Sequence, residues 1–140
     1  MKAIDRRKTL DTTRKFFNND LDHLCRSAGI RKTDLELPFF PPVVPNERES
    51  IYKEIKIVYL TLKSCEVDNR QPSKQILIDR YINGLVIHEV ALKIGFSESA
   101  TKRKVNAALL EFAERLETFK KAYEVTSFPS LLIKDDTRSN

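Results

Sequence analysis

The sequence predicts an all-α fold, a helical bundle with a helix-turn-helix toward its C-terminal end. Apolar residues recur at spacings of three, four and seven along several segments, which is the period of an amphipathic helix. Only 3 of the 140 residues are glycine, whereas a multi-stranded sheet with many tight turns usually needs more. Hydrophobic residues make up 41% of the chain, enough to bury the core of one compact domain.

The N-terminal part, residues 1–34, is predicted to form one helix over Asp5–Ala28. Gly29 suits the left-handed position that ends many helices. Arg6, Arg7 and Lys8 precede the apolar stripe; a solvated helix start is the first interpretation and a phosphate contact is the alternative. The inner face of this helix consists of Leu10, Phe16, Phe17, Leu21, Leu24, Cys25 and Ala28.

A proline-rich connector is predicted over residues 35–46. Proline lacks an amide donor and blocks helix continuation, so we expect extended chain here. Phe39 and Phe40 alternate with the prolines, and we expect these rings to press onto the core because aromatic side chains favour burial. The prolines are Pro38, Pro41, Pro42 and Pro45.

The helical core is predicted over residues 47–123. Its first helix, Glu47–Ser64, is apolar on more than one side, which indicates either a central helix or a second interface. The next helix opens at Pro72 or Ser73 and ends near Ile82, before an Asn-Gly break. The inner face of Glu47–Ser64 consists of Ile51, Ile55, Val58, Tyr59 and Leu62.

Residues 87–112 have the features of a helix-turn-helix. A short helix over Ile87–Ile94 carries the small Ala91 where a second helix would cross closely. Gly95 tolerates the positive φ of the turn. Ser97 can cap the following helix by accepting amide hydrogen bonds, and that helix is predicted to extend toward Tyr123.

One face of that last helix is predicted to point away from the core. From Ser99 to Leu110 the sequence has three cations and no acid, and the whole chain has a formal net charge of +5. Cations mixed with donors and acceptors suit the edges of the major groove and its flanking phosphates. We therefore expect double-stranded DNA as the partner. The candidate DNA-binding residues are Ser97, Glu98, Ser99, Lys102, Arg103 and Asn106.

The stretch from Leu77 to Phe112 resembles the helix-turn-helix of the fourth domain of bacterial sigma factors. The whole chain, from about Ile4 to Glu114, resembles the ArpU-type regulators of phages and prophages, in the opening Ile-Asp-Arg-Arg-Lys-Thr, the turn Ser-Glu-Ser and the run Ala-Leu-Leu-Glu-Phe-Ala. This resemblance implies control of late or lytic genes in a bacterial host. By position, it places Glu98, Ser99, Lys102 and Arg103 at base-reading and phosphate-contacting sites.

One residue departs from the sigma-like pattern. Thr101 stands where that module usually has a buried aliphatic residue. A threonine fits there if its hydroxyl donates to a carbonyl one turn earlier. Without that hydrogen bond, the register of the predicted exposed face is open to question.

The last helix also carries a coiled-coil spacing, with apolar residues at alternating steps of four and three. We expect the first half of this apolar seam, Val105 to Phe112, to pack within the chain. The second half leaves intramolecular packing and a homodimer equally open. The seam consists of Val105, Leu109, Phe112, Leu116, Phe119 and Tyr123.

The C-terminal tail, residues 124–140, has an apolar half that docks on the body or on a partner, followed by a polar end from Lys134 that we expect to fray. Cys25 and Cys65 are predicted to be buried free thiols. No apolar run approaches the roughly 20 residues of a membrane span, and no leader is recognisable, so we expect a cytoplasmic protein without a membrane partner.

No catalytic residues, cofactor or metal site are predicted. His23 and His88 lack ligands at metal spacing, and the sequence has no glycine-rich phosphate loop or nucleophile elbow. The expected function is therefore sequence-specific DNA binding in transcription control. The alternative is a sigma-like interaction module that binds RNA polymerase or another regulator.

Overall fold

The computed structural model describes residues 3–40 and 49–135. The secondary structure of this part is helical, which confirms that the fold is all-α. The helices are α1 (Arg6–Lys15), α2 (Leu21–Ala28), α3 (Glu49–Ser64), α4 (Ser73–Leu77), α5 (Ile87–Ile94) and α6 (Glu98–Ala122). The predicted helix start at Glu47, the connector beyond Phe40 and the polar end after residue 135 lie outside the described residues.

The N-terminal helix follows its prediction with one difference. Asp5 caps it by accepting the amide of Lys8 at 3.0 Å, and Gly29 ends it in the left-handed conformation at φ 76°. Between α1 and α2, however, the turn Phe16–Asp20 is π-helical. A π turn accommodates one extra residue within a helix. At its start, both adjacent rings, Phe16 and Phe17, are buried in the core.

The described part of the connector is compact at first, because a 3₁₀ turn spans Lys32–Glu36. Phe40 is partly buried and meets the ring of Tyr59 edge-on at 5.5 Å. The Tyr59 hydroxyl donates to the carbonyl of Leu37 at 2.8 Å. The prediction is wrong for Phe39, which is 59% exposed. Phe39 lies in the bend of residues 37–39, which turns its ring into solvent while the ring of Phe40 reaches Tyr59.

α3 lies inside the bundle, as its predicted inner face requires. Ile51, Ile55, Val58, Tyr59 and Leu62 are all buried, and so is Ile57 on another side of the helix. The structure therefore favours the central-helix interpretation of its apolar pattern. The next predicted helix is also present: α4 continues through a π-helical turn, Ile78–Ile82, to the expected end.

α6 is the helix around which α1, α3, α4 and α5 pack, because all four contact it. Phe112 lies at the centre, with its ring 4.7 Å from Phe17 and 5.9 Å from Phe16. Phe17 in turn stacks on Tyr81 at 5.0 Å. This aromatic cluster fixes α6 against the N-terminal helix and against the helix that precedes α5.

The coiled-coil spacing on α6 is satisfied largely within the chain. Val105, Leu109, Phe112 and Leu116 are 0–5% exposed. Phe119 is partly buried, and Tyr123 is 40% exposed. The predicted intramolecular packing of the first half is thus confirmed, and it extends one step further, to Leu116.

The apolar half of the C-terminal tail docks on the body of the chain. Phe128 and Leu131 are buried, and the ring of Phe128 lies 5.4 Å from that of Phe16. The tail then runs along α1, where the hydroxyl of Thr12 donates to the carbonyl of Leu131 at 2.7 Å and the amide of Asp5 donates to Ile133 at 2.8 Å. These contacts join the two ends of the chain.

Both cysteines are buried and free, as predicted. Burial raises the pKa of Cys25 and of Cys65 to about 12, so both thiols are protonated at neutral pH. Among the residues that the structure describes, no helix is long and apolar enough to cross a membrane.

Candidate nucleic-acid interface

The turn between α5 and α6 has the geometry that its residues predict. Gly95 is left-handed, at φ 79° and ψ 30°. The amides of Gly95 and Phe96 both donate to the carbonyl of Ala91, at 2.9 and 3.2 Å. The Ser97 hydroxyl then accepts the amide of Ala100 at 3.1 Å, which caps α6. The two helices are therefore joined by a short corner that these three hydrogen bonds stabilise.

The inner side of this two-helix unit is tightly buried. On α5, Val90 is 0% exposed and Ala91 is 4% exposed. On α6, Val105, Ala108 and Leu109 are between 0 and 5% exposed. Because one side of α6 is buried against the bundle, the register of its opposite side is determined by packing.

Thr101 fills the buried position without the hydrogen bond to the preceding turn. Its side chain is 0% exposed, and its hydroxyl oxygen has no hydrogen-bond partner among the described residues. The register of the exposed face nevertheless agrees with the prediction, because burial of Val105 one turn later places Lys102 and Arg103 on the solvent side.

Five of the six predicted site residues are exposed at the start of α6: Ser97, Glu98, Ser99, Lys102 and Arg103. Some of their polar groups already meet neighbours. The guanidinium of Arg103 donates to the Ser99 hydroxyl at 3.3 Å. A carboxylate oxygen of Glu98 lies 2.9 Å from Nδ1 of His88 on α5, and both side chains are more than half exposed.

Asn106 is placed differently from the other five. It is half-buried, and its amide oxygen accepts a hydrogen bond from the guanidinium of Arg14 on α1. The prediction of an outward-facing Asn106 is therefore only partly right. The residue lies at the margin of the exposed face, where it joins the first helix to α6.

Lys104 does not contribute to the exposed face of the cationic run. Its ammonium lies 4.2 Å from the centre of the Phe96 ring and donates to the carbonyl of Arg70. A helix advances about 100° per residue, so Lys104 points away from Lys102 and Arg103 even though it follows them directly. Two of the three cations of the run therefore remain on the exposed side.

Sequence reasoning missed two further cations beside α6. Arg14 and Arg80 line an open groove of about 290 Å³ together with Lys102 and Asn106. The remaining lining residues are Tyr81, Ile87 and Val105. Arg14 lies 92 positions from Asn106 in the sequence, so no local spacing could have indicated this proximity. At the other end of α1, Arg6, Arg7 and Lys8 are exposed, in agreement with the first interpretation of a solvated helix start.

The charge of this groove is positive and largely uncompensated. None of its lining residues, within the part of the chain that the structure describes, is acidic. Two cations elsewhere meet acids directly, since Lys93 lies 3.2 Å from Asp79 and Arg115 lies 2.8 Å from Glu111. The surface formed by the start of α6 and the groove therefore carries a positive charge that would attract a polyanion.

No arrangement typical of a metal centre accompanies this surface. Over residues 3–40 and 49–135, no three His, Cys, Asp or Glu side chains lie close enough together to hold a metal ion. Comparison of the chain with protein-family models, with curated proteins and with solved structures gave no match.

Proposed function

We propose that this protein is a sequence-specific DNA-binding regulator of transcription that reads the major groove with the first turns of α6. The observation that carries the proposal is the orientation of that helix. Its inner side is buried from Thr101 to Phe112, while Lys102 and Arg103 project into solvent beside two further cations.

The diameter of a helix permits this placement. With its side chains, an α-helix is about 10–12 Å across. The major groove of B-DNA is about 12 Å wide and admits one α-helix with its side chains. Lys102 and Arg103 can donate to guanine edges or phosphates, while Glu98 can accept from cytosine. The face thus carries groups for both strands and for the backbone.

The sequence resemblances agree with this function. A sigma-like helix-turn-helix would present α6 in the same way, and an ArpU-type regulator would act on phage or prophage genes in a bacterial cytoplasm. Family membership and the phage origin are part of the proposal.

The alternative, a module that binds RNA polymerase, loses the two features that motivated it. The apolar sides of α3 are largely covered by the chain itself, and the apolar half of the tail docks on α1 and on Phe16. The homodimer has less support for the same reason, because Leu116 in the second half of the seam is 0% exposed.

The proposal is tested by selecting bound duplexes from a random library and then comparing variants on the selected sequence. We expect Lys102→Ala and Arg103→Ala each to weaken binding to the selected site by about 1–3 kcal/mol and to reduce its preference over a scrambled duplex. Fluorescence anisotropy at fixed salt measures both affinities. Lys121→Ala, which removes an exposed cation from the other end of the same helix, is the matched control.

Two results would contradict the proposal. One is a library selection that yields no enriched sequence. The other is a Lys121→Ala effect on site preference as large as that of Arg103→Ala. A pull-down of RNA polymerase by a chain that shifts no duplex would support the alternative instead.

A further inference from the structure

The groove beside α6 is built from elements that lie far apart in the sequence. Arg14 comes from α1, Arg80 from the π-helical turn after α4, and Lys102 from the exposed start of α6. Arg14 lies outside the stretch that resembles a helix-turn-helix. The N-terminal helix therefore adds a cation to the surface on which the proposed function depends.

The two arginines of the groove are held by neutral groups. Arg14 donates through Nη2 to the amide oxygen of Asn106. Arg80 donates through Nη1 to the carbonyl of Leu85 at 3.3 Å, and its guanidinium lies 5.5 Å from the centre of the Tyr81 ring. A guanidinium has five N–H donors, so one such hydrogen bond orients the group and leaves other donors available.

The acid nearest to Arg14 compensates little of its charge. The carboxylate of Asp11 lies 3.9 Å from Nη1, and its side chain is 67% exposed. An ion pair at that distance in water contributes little. The Arg14 side chain is itself 40% exposed, so solvent and ligands can reach it. Orientation by a neutral amide, with little compensation by acid, favours binding of an anion.

We propose that this groove binds a backbone phosphate of the same duplex that α6 reads, with Arg14 as its principal ligand. A helix in the major groove is bordered on each side by a phosphate strand. Asn106 lies one turn beyond Lys102 on the margin of the reading face, so Arg14 stands where such a strand passes. Arginine suits this position because its planar fork can donate two hydrogen bonds to one phosphate.

This inference rests on the proposed function, and the test separates the two. Binding of the selected duplex is measured from 50 to 300 mM salt for the parent, Arg14→Gln and Arg80→Gln. Each lost phosphate contact makes the slope of log K against log salt shallower by about 0.9. We expect that change for Arg14→Gln, a roughly five- to tenfold loss of affinity near 0.1 M salt, and an unchanged preference for the selected site over a scrambled one.

Two control variants show whether the change of slope depends on the position of the lost charge and on the charge itself. A further variant covers the case in which Arg14→Gln does not fold. Arg26→Gln removes the same charge from an exposed position on α2, and its slope should equal that of the parent. Arg14→Lys keeps the charge and should retain the parent slope. If Arg14→Gln fails to fold, as judged by its circular dichroism and melting curve, Arg80→Gln carries the test, with the same expected change of slope.

Three further outcomes would overturn the phosphate groove, and one of them would also overturn the proposed function. A parent that binds its site, with an unchanged slope for a folded Arg14→Gln, overturns the phosphate groove and leaves the proposed function intact. A parent that binds no duplex overturns both. A free mononucleotide is the other source of a phosphate group. If AMP at matched ionic strength raises the melting temperature of the parent but not of Arg14→Gln, the groove is a nucleotide site and the assignment to the duplex is overturned.

Discussion

The two halves of α6 carry the same number of cations but differ in what neutralises them. Residues 98–109 contain three cations and one acid, Glu98, which lies beside His88. Residues 110–122 contain three cations and three acids, and there Arg115 lies 2.8 Å from Glu111. Cation number alone therefore does not identify a nucleic-acid surface. What distinguishes the first half is its balance of charge, because its three cations face one acid whereas the three cations of the second half face three.

The two halves are alike in their burial, because one continuous apolar side of α6 packs against the core along both of them. Val105 and Leu109 in the first half and Phe112 and Leu116 in the second are buried against the same core. The comparison is therefore between the polar faces of two helix halves whose apolar side packs against the same core. Three substitutions test it, at the buried side of α6, at the ion pair of its second half and at its N-terminal cap.

The largest effect is expected on the buried side that the two halves of α6 share. Phe112→Ala removes a ring that is 0% exposed and contacts Phe16 and Phe17, so we expect a loss of about 3–5 kcal/mol in the free energy of unfolding. Urea unfolding measures it. Tyr123→Ala, at a 40% exposed ring near the end of the same helix, should lose less than about 1 kcal/mol. Equal losses would contradict a core centred on Phe112.

A smaller effect is expected at Glu111, the acid that pairs with Arg115 in the second half of α6. Glu111 accepts hydrogen bonds from the Arg115 side chain at 2.8 Å and from the amide of Glu66 at 2.7 Å, and its side chain is only 17% exposed. We expect Glu111→Gln to lose about 1–2 kcal/mol of unfolding free energy, because a part-buried charged acceptor is removed. Chemical denaturation at pH 7 measures the loss.

The exposed Glu114 supplies the control for that change. Glu114→Gln removes the same charge from the same helix half and should shift the free energy of unfolding by no more than about 0.5 kcal/mol. If Glu114→Gln proved as destabilising as Glu111→Gln, net charge rather than the local ion pair would account for the loss.

The smallest effect is expected at the start of the first half. Ser97→Ala removes the hydroxyl that accepts the Ala100 amide at 3.1 Å, so we expect a loss of about 1 kcal/mol. Thermal unfolding by circular dichroism measures it. Thr118→Ala, at an exposed position in the second half, should change stability by less than about 0.5 kcal/mol. A Ser97→Ala protein as stable as the parent would mean that the hydroxyl contributes nothing to the start of α6.

Local pattern proved sufficient for the helices and for the corner between α5 and α6. The ends at Gly29, Ile82 and Gly95 were predicted because glycine conformation and apolar period are properties of neighbouring residues. The same pattern could not anticipate the π-helical turn at Phe16–Asp20 or the outward ring of Phe39. Both depend on which neighbouring side chain the completed core has room for.

The sequence by itself determined that the chain is helical, that α6 is capped by Ser97, and that Lys102 and Arg103 share its polar side, because each of these follows from spacing within one or two turns. Only the tertiary structure decided that Lys104 turns toward Phe96 and that Arg14 reaches Asn106. The physical reason is the sequence separation over which each effect operates. Backbone conformation and the amphipathic period depend on residues within one or two helical turns. The meeting of residues 14 and 106 depends instead on how the helices pack around Phe112.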